Sequence, residues 1–410
     1  MFELNSKLLN YADLIIKVGV NLQEGQSLHI RSSLEAKELT RHLVEKAYNN
    51  GAKVVHVDWS DEQTSKIHYE NAPLESLQTF PSWKALERNT LAEEKAAFIS
   101  IVSEDPDVFA SISSERLSAA QRASGKALVP FRRLMQADQF SWTVVAAASP
   151  AWAAKVFPEV EEKEQVNHLW DAIFAATRIT EEDPVTAWKK HDAILHEKAD
   201  ALNALNIDEL IYTAPGTDLT IGLPEGHIWT GGSSVNADGH TFMANMPTEE
   251  VFTAPHKDRV NGFVSSTKPL SYSGNIIDDF TLTFKDGAVV DVKAAQGEDV
   301  LKQLIATDEG SKRLGEVALV PHDSPISNSN TLFYNTLFDE NASNHLAVGS
   351  AYTFCLEGGK DMTPEETAAR GLNDSLTHVD FMIGSAEMNI DAKTHAGEIV
   401  PIFRNGNWAL

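Results

Sequence analysis

Short runs that are apolar at consecutive positions constrain the fold of this chain more than any other feature. Val54, Val55 and Val57 mark one, residues 97–102 (Ala-Phe-Ile-Ser-Ile-Val) a second, and residues 142–146 (Trp-Thr-Val-Val-Ala) a third. A strand that is hydrophobic on both faces must be covered on both sides, as the strands of a parallel sheet between helices are. Helical patterns stand between these runs. Ser27-Leu28-His29-Ile30 reads as a further strand, and Ser32 with Glu35 has the spacing of a capping box. The helix that follows carries Leu39, Leu43 and Ala47 on one face and stops at Asn49-Asn50-Gly51, where glycine suits a left-handed cap. Ser149 and Pro150 supply an N-cap and a first-turn proline for a helix through Trp152 and Val156. This alternation predicts an α/β N-terminal domain with an open, mostly parallel sheet.

The second half reads differently. Asp183-Pro184 begins a charged helical stretch running from Trp188 to Asn203. Beyond it residues 207–212, 219–223 and 280–284 are strand-like, the last with clean period-two alternation. Asp286-Gly287 turns the chain into residues 288–292, a strong hairpin signal. A helix from about Glu298 to Ile305 precedes a strand over residues 316–320. At 410 residues the chain is long for one core. We therefore expect an α/β domain over residues 1–185 and a β-rich α+β catalytic domain over residues 186–410. The glycine fingerprints of dinucleotide and P-loop sites are absent, which argues against a nucleotide site.

Lysine and arginine number 34 against 59 aspartates and glutamates, a net charge of −25. Nucleic-acid backbones and anionic membranes are poor partners for such a surface. Cys355 is the single cysteine, so an intrachain disulfide and a cysteine-rich zinc site are excluded. Any metal must rest on His, Asp and Glu. The N-terminus lacks a basic stretch followed by an apolar one, and no run of about 18 apolar residues occurs. A soluble cytoplasmic protein is expected.

Several side chains could carry chemistry. On a strand, His378 and Asp380 share a face while Val379, Phe381 and Ile383 point to a core. Imidazole beside carboxylate suits a divalent cation, although a plain His-Asp hydrogen bond is the ordinary reading. Glu316 opens an apolar strand, where a charge is costly unless it is paired, bound to metal or exposed at the strand edge. His345 ends a polar segment that runs into apolar residues, with Glu340 upstream and Tyr352 downstream. Taken singly, His345 suits a structural role and Tyr352 a packed core. Glu249 and Glu250 stand at a loop-to-strand junction where acids are usually solvated. Together these groups match what two divalent ions about 4 Å apart would need to acidify a bridging water and polarise a carbonyl.

Four segments carry a likeness: Met246-Pro-Thr-Glu-Glu-Val-Phe-Thr-Ala-Pro255, Gly315-Glu-Val-Ala-Leu-Val320, Thr336-Leu-Phe-Asp-Glu-Asn-Ala-Ser-Asn-His345 and His378-Val-Asp-Phe-Met-Ile-Gly384. In this order they resemble the thermophilic-aminopeptidase family of metallopeptidases, peptidase family M29. The resemblance implies a metal-dependent aminopeptidase that holds two divalent ions on Glu250, Glu316, His345, His378 and Asp380. Glu340 matches a position that serves as a further ligand or as the general base, and Tyr352 one that could stabilise the oxyanion. It also implies peptide substrates with a broad, apolar-leaning N-terminal preference, and a homodimer. Zinc, cobalt, manganese and magnesium all suit such donors.

Two other readings compete. His378, Asp380 and a later His395 imitate the facial triad of a non-haem Fe(II) oxygenase. An acidic protein that binds metal or peptide without turnover is the other. Serine hydrolysis is disfavoured because no G-x-S-x-G occurs, and zincin chemistry because His196-Glu197 is followed by Asp200 where a second histidine would stand.

Overall fold

The computed structural model describes residues 2–272 and 275–410. Its packing divides into two compact units, Met1–Lys190 with Ser233–Pro247, and His191–Gly232 with Thr248–Leu410. The chain passes from the first to the second inside the helix Pro184–Ala204.

In the first unit, β1 (Ser27–Ser33), β2 (Val54–Ser60), β3 (Ala97–Val102) and β4 (Trp142–Ala146) form a sheet in the order β2-β1-β3-β4, every pair parallel. The doubly apolar run of β3 is buried as the pattern requires, with Ala97, Phe98, Ile99 and Ile101 all in the core. β2 is only half-buried, because an edge strand has a neighbour on one side alone. The expected capping box at Ser32 does not form. Ser32 is still in β1, its hydroxyl is 2.7 Å from Thr40 Oγ1, and a 3-10 turn at Leu34–Ala36 delays the helix to Lys37–Asn49. At the other end Gly51 takes the left-handed conformation, φ 85°. Ser149 caps the helix Pro150–Val156 by accepting from Trp152 N–H at 3.3 Å.

His29 lies in the middle of this sheet, between His56 and Phe98 in register, with its ring 5.3 Å from that of Phe98. Burial holds its pKa down to about 4, with Arg88, His56 and Arg31 adding to the depression and Asp58 opposing it. The unfolded chain takes up this proton near the ordinary 6.5 and the folded chain only near 4. Its contribution is therefore whole above about pH 6.5 and is lost, to the extent of about 3 kcal/mol, as pH falls to about 4. The urea midpoint of wild type should fall relative to that of His29→Phe as pH drops from about 6.5 to about 4, because phenylalanine takes up no proton; parallel pH profiles would exclude His29 as the group responsible.

Among the described residues the second unit holds a nine-stranded and a five-stranded sheet, their strand pairs antiparallel. Ile207–Ala214 and Thr217–Gly222 lie inside the larger one, and the hairpin Asn275–Lys285 with Ala288–Gln296 lies toward one end. The hairpin turns on Asp286 and Gly287, both at positive φ, which matches the right-handed strand twist. A Cβ on Gly287 would stand 1.8 Å from the Lys257 carbonyl oxygen, so glycine is required there.

The smaller sheet runs Thr230–Gly231, Val251–Thr253, Leu314–Leu319, His345–Gly349, His378–Met382 in spatial order. Its back face sends Val251, Val317, Leu319, Leu346, Val348 and Phe381 into one core with Leu210, Ile221, Leu282 and the Leu301 and Leu304 of helix Glu298–Ile305. Each such side chain contributes about 1.5–3 kcal/mol by leaving water. A one-residue slip would turn the whole set to the other face, so this burial fixes the register and thereby the groups on the front.

Candidate metal centre

Alternation decides what reaches the front face of the five-stranded sheet. His378 and Asp380 stand there together, two residues apart, while Val379 packs against the core and Phe381 lies in it. On the next strand His345 and Ala347 share that face. Ala347 is opposite Asp380 on one side and Glu316 on the other, and its small side chain leaves room between the two carboxylates.

Glu316 faces forward by alternation with Val317 and Leu319, and an irregularity stands just before it. Leu314 pairs with Val348 and Glu316 with Ala347, so Gly315 is one residue too many. Regular alternation would put Leu314 and Glu316 on the same face; the bulge sends Leu314 into the core and Glu316 forward. A Cβ at Gly315 would lie 2.4 Å from the carbonyl oxygens of both Gly349 and Ser350, so only glycine fits. Glu316 thus stands inside the strand, 5% exposed, and not at its exposed edge.

Glu250 precedes Val251, whose side chain is in the core, and so faces forward. Its backbone is tied to another part of the site: the Glu249 N–H donates to Asn341 Oδ1 at 2.7 Å, while Asn341 Nδ2 donates to Leu337 O at 3.0 Å and to Glu340 Oε1 at 3.4 Å. Asn344 plays a similar part, accepting from the Val320 N–H at 2.8 Å. Sequence reasoning did not single out these asparagines. Their one signal was their place in the polar segment that ends at His345.

Two groups of donors result. Glu250, Glu316 and His345 have ligand atoms mutually within 4.8 Å, and so do Glu316, His378 and Asp380. His345 Nε2 is 3.1 Å from Glu250 Oε2 and 3.6 Å from Glu316 Oε1; His378 Nε2 is 3.4 Å from Glu316 Oε2 and 3.5 Å from Asp380 Oδ1. Glu316 therefore presents one oxygen to each group. The other ring nitrogens are engaged behind: His345 Nδ1 with the Ser343 carbonyl at 3.2 Å, His378 Nδ1 with the Ser350 carbonyl at 2.7 Å. A carbonyl can only accept, so each Nδ1 carries a proton, and in the neutral ring Nε2 aims its lone pair at the cluster. This is the arrangement by which backbone carbonyls orient metal-binding imidazoles.

Without a cation the cluster must hold protons. Burial pushes the Glu316 carboxyl up, but its contacts with His345 and His378 outweigh this and hold it at about 2. Burial likewise acts downward on both imidazoles and is overcome, at His345 by Glu250 and Glu316, at His378 by Tyr352, Asp380 and Glu316, leaving both well above the ordinary value. Burial raises Glu250, and it raises Glu340 strongly with the help of the Asp380 and Glu250 charges. Four carboxylates gather around two imidazoles, and Asp380 Oδ1 is buried without a hydrogen-bond donor. The donor set thus calls for positive charge and fits hard or borderline divalent ions.

Glu340 is buried beside the cluster but belongs to neither group of donors. The Tyr352 ring lies 5.1 Å from that of His378. His395 is elsewhere: it follows strand Asn389–Thr394 of the larger sheet, 3.8 Å from Asp208 Oδ1, and belongs to neither group. The oxygenase triad is corrected accordingly, because its third ligand pairs with a different carboxylate.

Comparison with known proteins bears on the chain as a whole. The family profile described as "Thermophilic metalloprotease (M29)" matches residues 4–408. The chain is 58% identical to Aminopeptidase AmpS of Bacillus subtilis (strain 168) over all of both chains, and 43% identical to Aminopeptidase T of Thermus aquaticus over 97% of each. Its structure superposes on wild-type AmpT from Thermus thermophilus with a TM-score of 0.93 at 41% identity, covering both chains fully. The chain belongs to the M29 family of thermophilic metalloproteases and is a metallo-aminopeptidase.

Proposed function

We propose that the enzyme cleaves the first peptide bond of peptides with a water shared by two divalent ions, which Glu250, Glu316, His345, His378 and Asp380 hold. The observation that carries this reading is the division of Glu316, with Oε1 toward His345 and Oε2 toward His378. A carboxylate so placed suits a pair of cations far better than one. Bound there, the ions would polarise the scissile carbonyl and acidify the shared water.

The remaining work falls to side chains. In this reading Glu340 takes the proton of the attacking water and passes it to the leaving amine, a role its burial outside both donor groups supports. In the same reading Tyr352 donates its phenolic proton in a hydrogen bond to the developing oxyanion, which its nearness to the His378 ring supports. Burial and the charges of Glu316, Asp380 and Glu340 push that phenol up, the imidazole of His378 opposing them, so the hydroxyl keeps its proton for donation.

Leucine p-nitroanilide should be hydrolysed in the presence of Co²⁺ or Zn²⁺, EDTA should abolish the reaction, and added metal should restore it. An N-acetylated substrate should resist. Failure to see metal-dependent release would sink the reading. The preference for apolar N-terminal residues rests on the family likeness, and kcat/KM for leucine against lysine p-nitroanilide tests it. A homodimer in the cytoplasm rests on the same likeness; sedimentation equilibrium and cell fractionation test the two parts. Among the described residues no helix is long and apolar enough to cross a membrane.

A further inference from the structure

Tyr352 lies past the end of strand His345–Gly349, just before the 3-10 turn Thr353–Cys355, so no strand pairing sets its side-chain torsions. Its ring, half-buried, is nevertheless hemmed in by other rings. The His378 imidazole lies 5.1 Å away at 53°, Phe354 stacks on the ring at 5.1 Å and 18°, and Phe252 meets it edge-on at 6.1 Å and 63°. Phe252 also closes edge-on upon Phe354 at 6.1 Å and 75°, and Lys360 Nζ lies 5.8 Å over the Phe354 ring. Phe252 pairs with Ala318 and so belongs to the front face that carries Glu316. Buried Ala254, Cys355, Leu356 and Leu372 pack against these aromatics. Offset stacking and edge-on contacts are the favoured aromatic geometries, and they have direction, so the two on Tyr352, with the tilted His378 ring as a third neighbour, restrict the ring more than general burial would.

From this enclosure we infer that Phe252 and Phe354 are positioning residues that lock the Tyr352 ring against His378 and keep its hydroxyl aimed at the reacting carbonyl. The inference rests on the oxyanion role given to Tyr352 above. The two phenylalanines act through that ring and do not hold the substrate side chain.

A double-mutant cycle tests this, with kcat and KM on leucine and alanine p-nitroanilides, bound metal and thermal midpoint read for each variant. Tyr352→Phe should lower kcat by about 10²-fold. Phe354→Ala, by letting the ring drift, should lower kcat by about 10- to 10²-fold with KM within about twofold and metal content unchanged. In the Tyr352→Phe background the same change should alter kcat by less than about twofold, because the ring no longer carries the hydroxyl being aimed. Phe354→Leu and Phe252→Leu should show the same pattern more weakly and serve if the alanine variant does not fold. Multiplicative losses in the cycle would overturn the inference, as would a KM that rises for leucine but not alanine substrate, which marks a side-chain pocket. Full activity in Tyr352→Phe would overturn the oxyanion role itself; an impaired Tyr352→Phe with an additive cycle would leave that role standing and remove only the positioning.

Discussion

Glu316→Gln is expected to lose both ions of the pair and at least about 10³-fold in kcat/KM. The two oxygens of Glu316 face different histidines, 3.6 Å from His345 Nε2 and 3.4 Å from His378 Nε2, so this carboxylate alone belongs to both donor groups. Glutamine keeps the shape but removes the charge and turns one acceptor into a donor, which cannot face a cation. Charge stabilisation of several kcal/mol by bound metal, at about 1.4 kcal/mol per decade of rate, sets the expected size of the loss. Glu250→Gln and Asp380→Asn each touch one group and should spare the other. Elemental analysis of dialysed protein should give near zero metal for Glu316→Gln and an intermediate content for the other two. Equal stoichiometry in all three variants would remove the bridging role.

Glu340→Gln should behave in the opposite way, lowering kcat by about 10²- to 10⁴-fold while metal content stays at the wild-type level. Glu340 is buried beside the cluster without joining either donor group, and Asn341 Nδ2 fixes its Oε1 from behind at 3.4 Å. Glutamine can keep that hydrogen bond and cannot accept a proton from water. Should the variant lose metal in step with activity, Glu340 is a ligand and the base must be sought elsewhere.

Much of the fold is visible in the sequence, for reasons that differ along the chain. Residues 97–102 announce a covered strand because both faces are apolar, and Asp286-Gly287 announces a hairpin because few other pairs tolerate two positive φ angles. The start of helix Lys37–Asn49 was harder, since Ser32 has the chemistry of a cap but the strand register claims it first. In the site, His378 and Asp380 could be read from period two within one strand. Glu250, Glu316 and His345 could not be joined to them by any local rule. Antiparallel pairing across distant segments brings them together, and only the likeness of whole segments pointed there. Alternation counted from Leu314 would have put Glu316 on the leucine's face, while alternation counted from Val317 and Leu319 puts it forward, and the sequence does not say which to follow. Asn341 left no periodic trace at all: a neutral amide that bonds backbone looks the same as any polar loop residue.

The extra residue at Gly315 has a consequence for how such a catalyst can change. The bulge absorbs it, so that the leucine before it keeps to the oily underside and the acid after it keeps to the opposite surface despite one residue too many between them. Deleting that residue would leave the leucine and the acid as adjacent positions on opposite faces, a regular pleat that keeps the acid forward. In this strand the side chain that fills the extra place is what is constrained, since the two neighbouring carbonyls leave no room for a Cβ, while the direction of the acid survives with or without it.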